Sequence, residues 1–107
     1  MPKTITRDEL RAAMNAGTVT VVDALPSGAF QRRHLPGAVN LAAEEIDRAP
    51  ERLPDTDAPI VVYSTDSGCT RGPELADLLD ARGYTDVRRY VDGIEDWVGA
   101  GQPIDTA

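Results

Sequence analysis

The chain has 107 residues, 11 basic and 18 acidic, for a formal net charge of −7, which argues against nucleic acid or an anionic membrane as a partner. That length suits one domain spanning residues 1–107, with a core that stands without metal or disulfide staples. Cys69 is the sole cysteine, so an internal disulfide is excluded, and the polar opening MPKTITRDEL together with the lack of any run near the roughly 18 apolar residues of a membrane span makes the cytoplasm the expected location.

In chain order, Thr6-Arg7-Asp8-Glu9 has the form of a capping box, Leu10, Ala13 and Met14 share the face that follows, and Gly17 is placed to end the turn-by-turn pattern. A helix is predicted at about residues 7 to 16. Val19, Val21 and Val22 lead into Asp23 as a β-branched run, a strand at about 19 to 23, before the turn-prone Pro26-Ser27-Gly28. Ala29 to His34 has room for one helical turn, Leu35-Pro36-Gly37 forces a turn, and a short strand is expected at about 38 to 41. Glu44 to Ala49 reads as helical and the proline-rich stretch from Pro50 to Pro59 as a surface connection.

Ile60-Val61-Val62-Tyr63 is short, apolar and without helical period, the pattern of a buried strand. Gly72-Pro73-Glu74 places Pro at an expected first helical position, with Leu75, Leu78 and Leu79 on one face of a helix at about 73 to 82 that Gly83 ends in the left-handed conformation. Val87 to Val91 alternates as a strand, Asp92-Gly93 turns the chain, and Ile94, Trp97 and Val98 have the spacing of a short helix packing its Trp on the sheet. Strands alternating with helices predict an α/β domain, a mainly parallel central sheet flanked by helices, with Ile60 to Tyr63 central and the site in loops at strand C-terminal ends.

The loop Ser64 to Arg71 lies at such an end. Running from a buried strand into a helix, it forms an anion cradle, because unpaired N–H groups and the positive helix end favour a phosphate, sulfate, thiosulfate or thiolate. The candidate contacts are Ser64, Thr65, Asp66, Ser67, Gly68, Cys69, Thr70 and Arg71. Three of them have a plainer reading: the Ser64 hydroxyl bonding the loop backbone, Cys69 as an inert packing residue, Arg71 as a surface cation. Cys69 is also close to a helix start and to Arg71, both of which lower a thiol pKa. One His and one Cys far apart in the chain make no metal site.

Three separated patches carry a family pattern: Val21-Val22-Asp23 with His34-Leu35-Pro36-Gly37-Ala38-Val39-Asn40, then Ile60 to Tyr63, then Asp92-Gly93-Ile94-Glu95-Asp96-Trp97. Together they resemble a rhodanese-like domain, over nearly the whole chain. The resemblance implies a three-layer α/β fold and sulfurtransferase chemistry without a cofactor, in which a cysteine directly after the VVY strand takes a sulfane sulfur as a persulfide and passes it to a thiophilic acceptor. It implies as partners a small sulfur-donor anion or protein persulfide and a thiol acceptor protein. It also implies that His34 and Asp23 are structural groups near the site.

Here the nucleophile's position is Ser64, which cannot hold a sulfane sulfur by that chemistry, and Asp66 puts negative charge where an anionic donor approaches. Cys69 stands where longer-loop members of the family carry a second cysteine, and as a residue five along the loop it is expected to lie off the point where the amides converge. Little sulfur transfer is expected of the chain with Ser64, and a gain of orders of magnitude with Cys there. The alternative is a catalytically silent module that binds an anion or a partner protein. Phosphatase or arsenate-reductase chemistry ranks last, since Cys69 is too close to Arg71 for the usual cysteine-to-arginine loop.

Overall fold

The computed structural model describes residues 2–106. Five parallel strands form one sheet in the order β1-β5-β4-β2-β3: β1 (Lys3–Thr4), β2 (Thr20–Asp23), β3 (Val39–Asn40), β4 (Ile60–Tyr63) and β5 (Val87–Tyr90). The two-residue β1, which pairs with β5 through Lys3 and Thr4, was absent from the sequence expectation; two exposed polar residues at a sheet edge carry no apolar pattern to read. The helices are α1 (Arg7–Ala16), α2 (Ser27–Arg32), α3 (Ala49–Arg52), α4 (Arg71–Ala81) and α5 (Gly93–Gly99), with a 3₁₀ segment over Ala43–Arg48.

β4 is central and fully buried, and its side chains alternate between two cores. Ile60 and Val62 join Leu75, Leu79, Tyr84 and Val87 under α4. Val61 and Tyr63 join Leu10, Leu35, Ile94 and Trp97 under α1 and α5. A parallel strand covered on both faces has no polar face, which is why this stretch reads as a continuous apolar run.

Local signals explain most element ends. The Thr6 hydroxyl accepts from the Glu9 amide, the Glu9 carboxylate accepts from the Thr6 amide, and Gly17 caps α1 with φ +68°. α4 begins at Arg71, two residues before the expected start, so Pro73 sits within the first turn. The first four N–H groups of a helix have no internal acceptor, and a proline costs nothing there. Pro50 to Arg52 extend a helical turn rather than a loop, and α2 starts at Ser27, ahead of the expected Ala29.

Candidate functional site

The loop between β4 and α4 is built on a polar buttress. Asp23, at the end of β2 and fully buried, accepts at one carboxylate oxygen from the Tyr63 hydroxyl (2.6 Å) and at the other from the Leu25 amide (2.8 Å). The Tyr63 oxygen in turn accepts from the Leu35 amide at 3.0 Å, and the Asn40 amide group donates to the carbonyls of Asp23 and Leu25. Burial pushes the Asp23 carboxyl above its ordinary value, against the hydrogen bonds from Tyr63 and Leu25 that pull it down. The same burial, with the Asp23 charge beside it, holds Tyr63 as a phenol far above the usual tyrosine range.

His34 belongs to this frame. Its Nδ1–H donates to the Phe30 carbonyl at 2.8 Å, its ring stacks on Phe30 with centroids 4.0 Å apart, and its backbone pairs with Asp105. A carbonyl only accepts, so Nδ1 carries the proton. Trp97 is buried in the core, edge-on to Tyr90, with its indole N–H on the Pro103 carbonyl.

Ser64 follows β4 directly and is 4 % exposed. Two helix starts pin it. A Cβ at Gly72 of α4 would stand 2.9 Å from the Ser64 hydroxyl oxygen, and one at Gly93 of α5 would meet the Ser64 and Thr65 carbonyl oxygens at 2.6 and 2.5 Å. Gly93 also has φ +70°, so glycine is required there on both counts. The amides of Ile94 and Glu95 donate to those two carbonyls at 3.0 Å each. The N-terminus of α5 thus clamps the start of the loop.

Asp66 folds the rest of the loop back. Its carboxylate accepts from the Gly68 amide at 3.0 Å, and its carbonyl from the Cys69 amide at 3.1 Å. The carboxylate that the sequence reading set against an incoming anion is engaged in this turn. The turn sets Cys69 beside Ser64 on one small cavity, and the groups acting on its thiol include the Ser64 hydroxyl, the backbone N–H groups of Thr65 and Arg71, and the Thr65 hydroxyl. Partial burial acts to raise the thiol pKa, but these donors outweigh it and hold the group below its ordinary value. A turn of two hydrogen bonds makes residues five apart neighbours, which counting along an extended loop does not reveal.

Ser67, Gly68 and Thr70 are exposed, and Thr70 gives no side-chain cap to α4. Arg71 contributes its backbone N–H, while its guanidinium lies 3.3 Å from Glu44. Beside Ser64 and Cys69 remains a cavity of about 20 Å³, shared with Ser67, Arg89 and Tyr90. The Nε of Arg89 is buried with no hydrogen-bond partner, the only such side-chain atom among the described residues. On the other side of Thr65 opens a cleft of about 360 Å³ lined by Leu25, Ala29, Arg32, Arg33 and Ile94, with Arg33 paired to Glu95. Sequence reasoning missed Arg89, whose only signal was a cation inside an apolar strand pattern. It also missed the Tyr63 hydroxyl, which an apolar run conceals. No group of His, Cys, Asp or Glu suited to a metal occurs among the described residues, and none of their helices is long and apolar enough to cross a membrane.

The family model of the rhodanese-like domain matches residues 6–100. Over 105 residues the chain is 31 % identical to the thiosulfate sulfurtransferase GlpE of Haemophilus influenzae, covering 98 % of this chain and 96 % of that protein. It is 38 % identical over 102 residues to the HTH-type transcriptional regulator Rv0324 of Mycobacterium tuberculosis, covering 94 % of this chain and 44 % of the regulator, so the chain spans under half of that relative's length. The rhodanese-like domain of the Alr3790 protein of Anabaena sp superposes with a TM-score of 0.85 at 23 % identity, over 100 % of this chain and 81 % of that one.

Proposed function

Because the chain belongs to the rhodanese-like domain family, we propose that its β4–α4 loop is a sulfur-handling site in which Ser64 takes the place of the family's reacting cysteine. The reaction is transfer of sulfane sulfur from thiosulfate or a protein persulfide to a thiophilic acceptor, such as a thiol protein in the cytoplasm. With Cys at position 64 it runs; with Ser64 it is slight, since an alkoxide is inaccessible near neutral pH without a base. The observation that carries this reading is the placing of Ser64: at the end of the central strand, 4 % exposed, between the starts of α4 and α5.

The test is thiosulfate-to-cyanide transfer by the native chain and by Ser64→Cys. A gain of orders of magnitude is expected, the usual scale for a covalent nucleophile; a folded Ser64→Cys that gains nothing refutes the reading. A second reading, a silent regulatory module that binds an anion or a partner protein, is favoured by the 38 % identity to a transcriptional regulator. That result would select it.

A further inference from the structure

We propose that Cys69, not position 64, is the sulfur acceptor of the chain as it stands: its thiolate takes one sulfane sulfur, which lodges in the cavity facing Arg89. This rests on the sulfur-handling reading above and names the atom that does the handling. Three observations meet at one point. Ser64 and Cys69 line one small cavity, and the Ser64 hydroxyl and the amides of Thr65 and Arg71 favour the thiolate of Cys69. Cys69 is partly exposed where Ser64 is buried, so a donor reaches the thiol first. The adjoining cavity of about 20 Å³ has room for a single water-sized atom and is bordered by Arg89, whose Nε–H is buried without an acceptor.

A buried donor without a partner is costly unless something accepts from it, and the terminal sulfur of a persulfide is an anionic acceptor of the right size. In this arrangement Ser64 is no failed nucleophile. Its hydroxyl is a positioning group that donates to the Cys69 sulfur.

With thiosulfate as donor the step balances. The Cys69 thiolate attacks the sulfane sulfur and forms a new S–S bond; the S–S bond of thiosulfate breaks, and its electron pair leaves on sulfite. Charge is conserved and no external oxidant or reductant is needed. The product is a Cys69 persulfide anion, whose outer sulfur accepts from Arg89 Nε.

The experiment is intact-mass spectrometry of the native chain after incubation with thiosulfate under non-reducing conditions, beside Cys69→Ser, Arg89→Leu and Arg89→Met. The expected result is a gain of one sulfur atom by the native chain and none by Cys69→Ser. In both Arg89 variants labelling should slow on the order of tenfold, the scale of one charge-assisted hydrogen bond. A folded native chain that gains no sulfur overturns the proposal, as does labelling at an undiminished rate in either folded Arg89 variant. The two readings fail separately. No label on the native chain beside active Ser64→Cys removes Cys69 alone, whereas inactive Ser64→Cys removes the family reaction at position 64 whatever Cys69 does.

Discussion

The two sides of the β4 terminus treat polar groups in opposite ways. Behind it, Asp23, Tyr63, Leu35, Leu25 and Asn40 satisfy one another in a closed set of hydrogen bonds. In front of it, the Arg89 Nε has no acceptor and Cys69 borders an unfilled space. Buried polar groups are normally paired, because each orphan costs about 1–3 kcal/mol. A completed network therefore marks structure, and an incomplete one beside a thiol marks a place for a ligand. Substitutions behind the terminus should cost stability, and those in front should change reactivity.

The largest effect is expected where the two sides are bolted together. Gly93→Ala puts a Cβ within 2.6 Å of two backbone carbonyl oxygens and a side chain at φ +70°. Left-handed strain and overpacking together predict a loss of roughly 3–5 kcal/mol, read as a lower midpoint in urea denaturation. A loss under 1 kcal/mol would show that α5 does not clamp the loop.

Tyr63→Phe comes next. It strips the Leu35 amide of its acceptor and one oxygen of Asp23 of its donor, a cost of about 2–4 kcal/mol for two buried orphans. The pH dependence has a definite sign. Burial already raises the Asp23 carboxyl above its ordinary 3.8, and the Tyr63 hydrogen bond opposes that rise; without it the folded pKa climbs further. A group raised in the folded state favours folding below its unfolded pKa and loses that contribution as pH rises through the folded pKa. The deficit of Tyr63→Phe against the native chain should widen from acid toward neutral pH, and a deficit that narrowed instead would mean that the Asp23 carboxylate is not held by this hydroxyl.

Legibility followed the same division. Four of the five strands, the capping box of α1 and the helix carrying Trp97 could be read because apolar period and cap residues are local signals. The position of Ser64 after Tyr63 was equally plain. The buttress was hidden, since Asp23, Leu35 and Tyr63 are far apart in the chain and only the parallel register of β2 beside β4, which sets Asp23 opposite Tyr63, unites them. The front of the site was hidden for a different reason. Asp66 was read as a negative charge where an anionic donor approaches; that its oxygens are also the hinge of a turn, which sets Cys69 and Ser64 on one cavity, was not legible.

A smaller effect concerns the thiol itself. The donors around Cys69 hold its pKa below the ordinary 9.0 despite burial acting the other way. Iodoacetamide alkylation of the native chain should therefore inflect below pH 9.0, and in Ser64→Ala the inflection should move upward as one donor to the thiolate is lost. An inflection that stayed in place in Ser64→Ala would separate the hydroxyl from the thiol.

Smallest of all is Arg71→Ala, which sharpens the division by standing next to the site without entering it. The Arg71 guanidinium lies 3.3 Å from Glu44 with side chains 35 % and 69 % exposed, and an exposed pair of this kind contributes roughly 0–0.5 kcal/mol. What Arg71 gives the thiol is its backbone N–H, and alanine retains that group and favours the helix as well. Stability and the alkylation rate of Cys69 should both stay close to native, the rate within about twofold, since long-range attraction from an exposed cation is weak at ordinary salt. A tenfold fall in the alkylation rate would mean that the guanidinium leaves Glu44 and turns onto the sulfur in solution. Glu44→Ala then becomes the deciding variant, because releasing Arg71 from its partner should speed alkylation if the cation is drawn inward and leave it unchanged if the cation belongs to the surface.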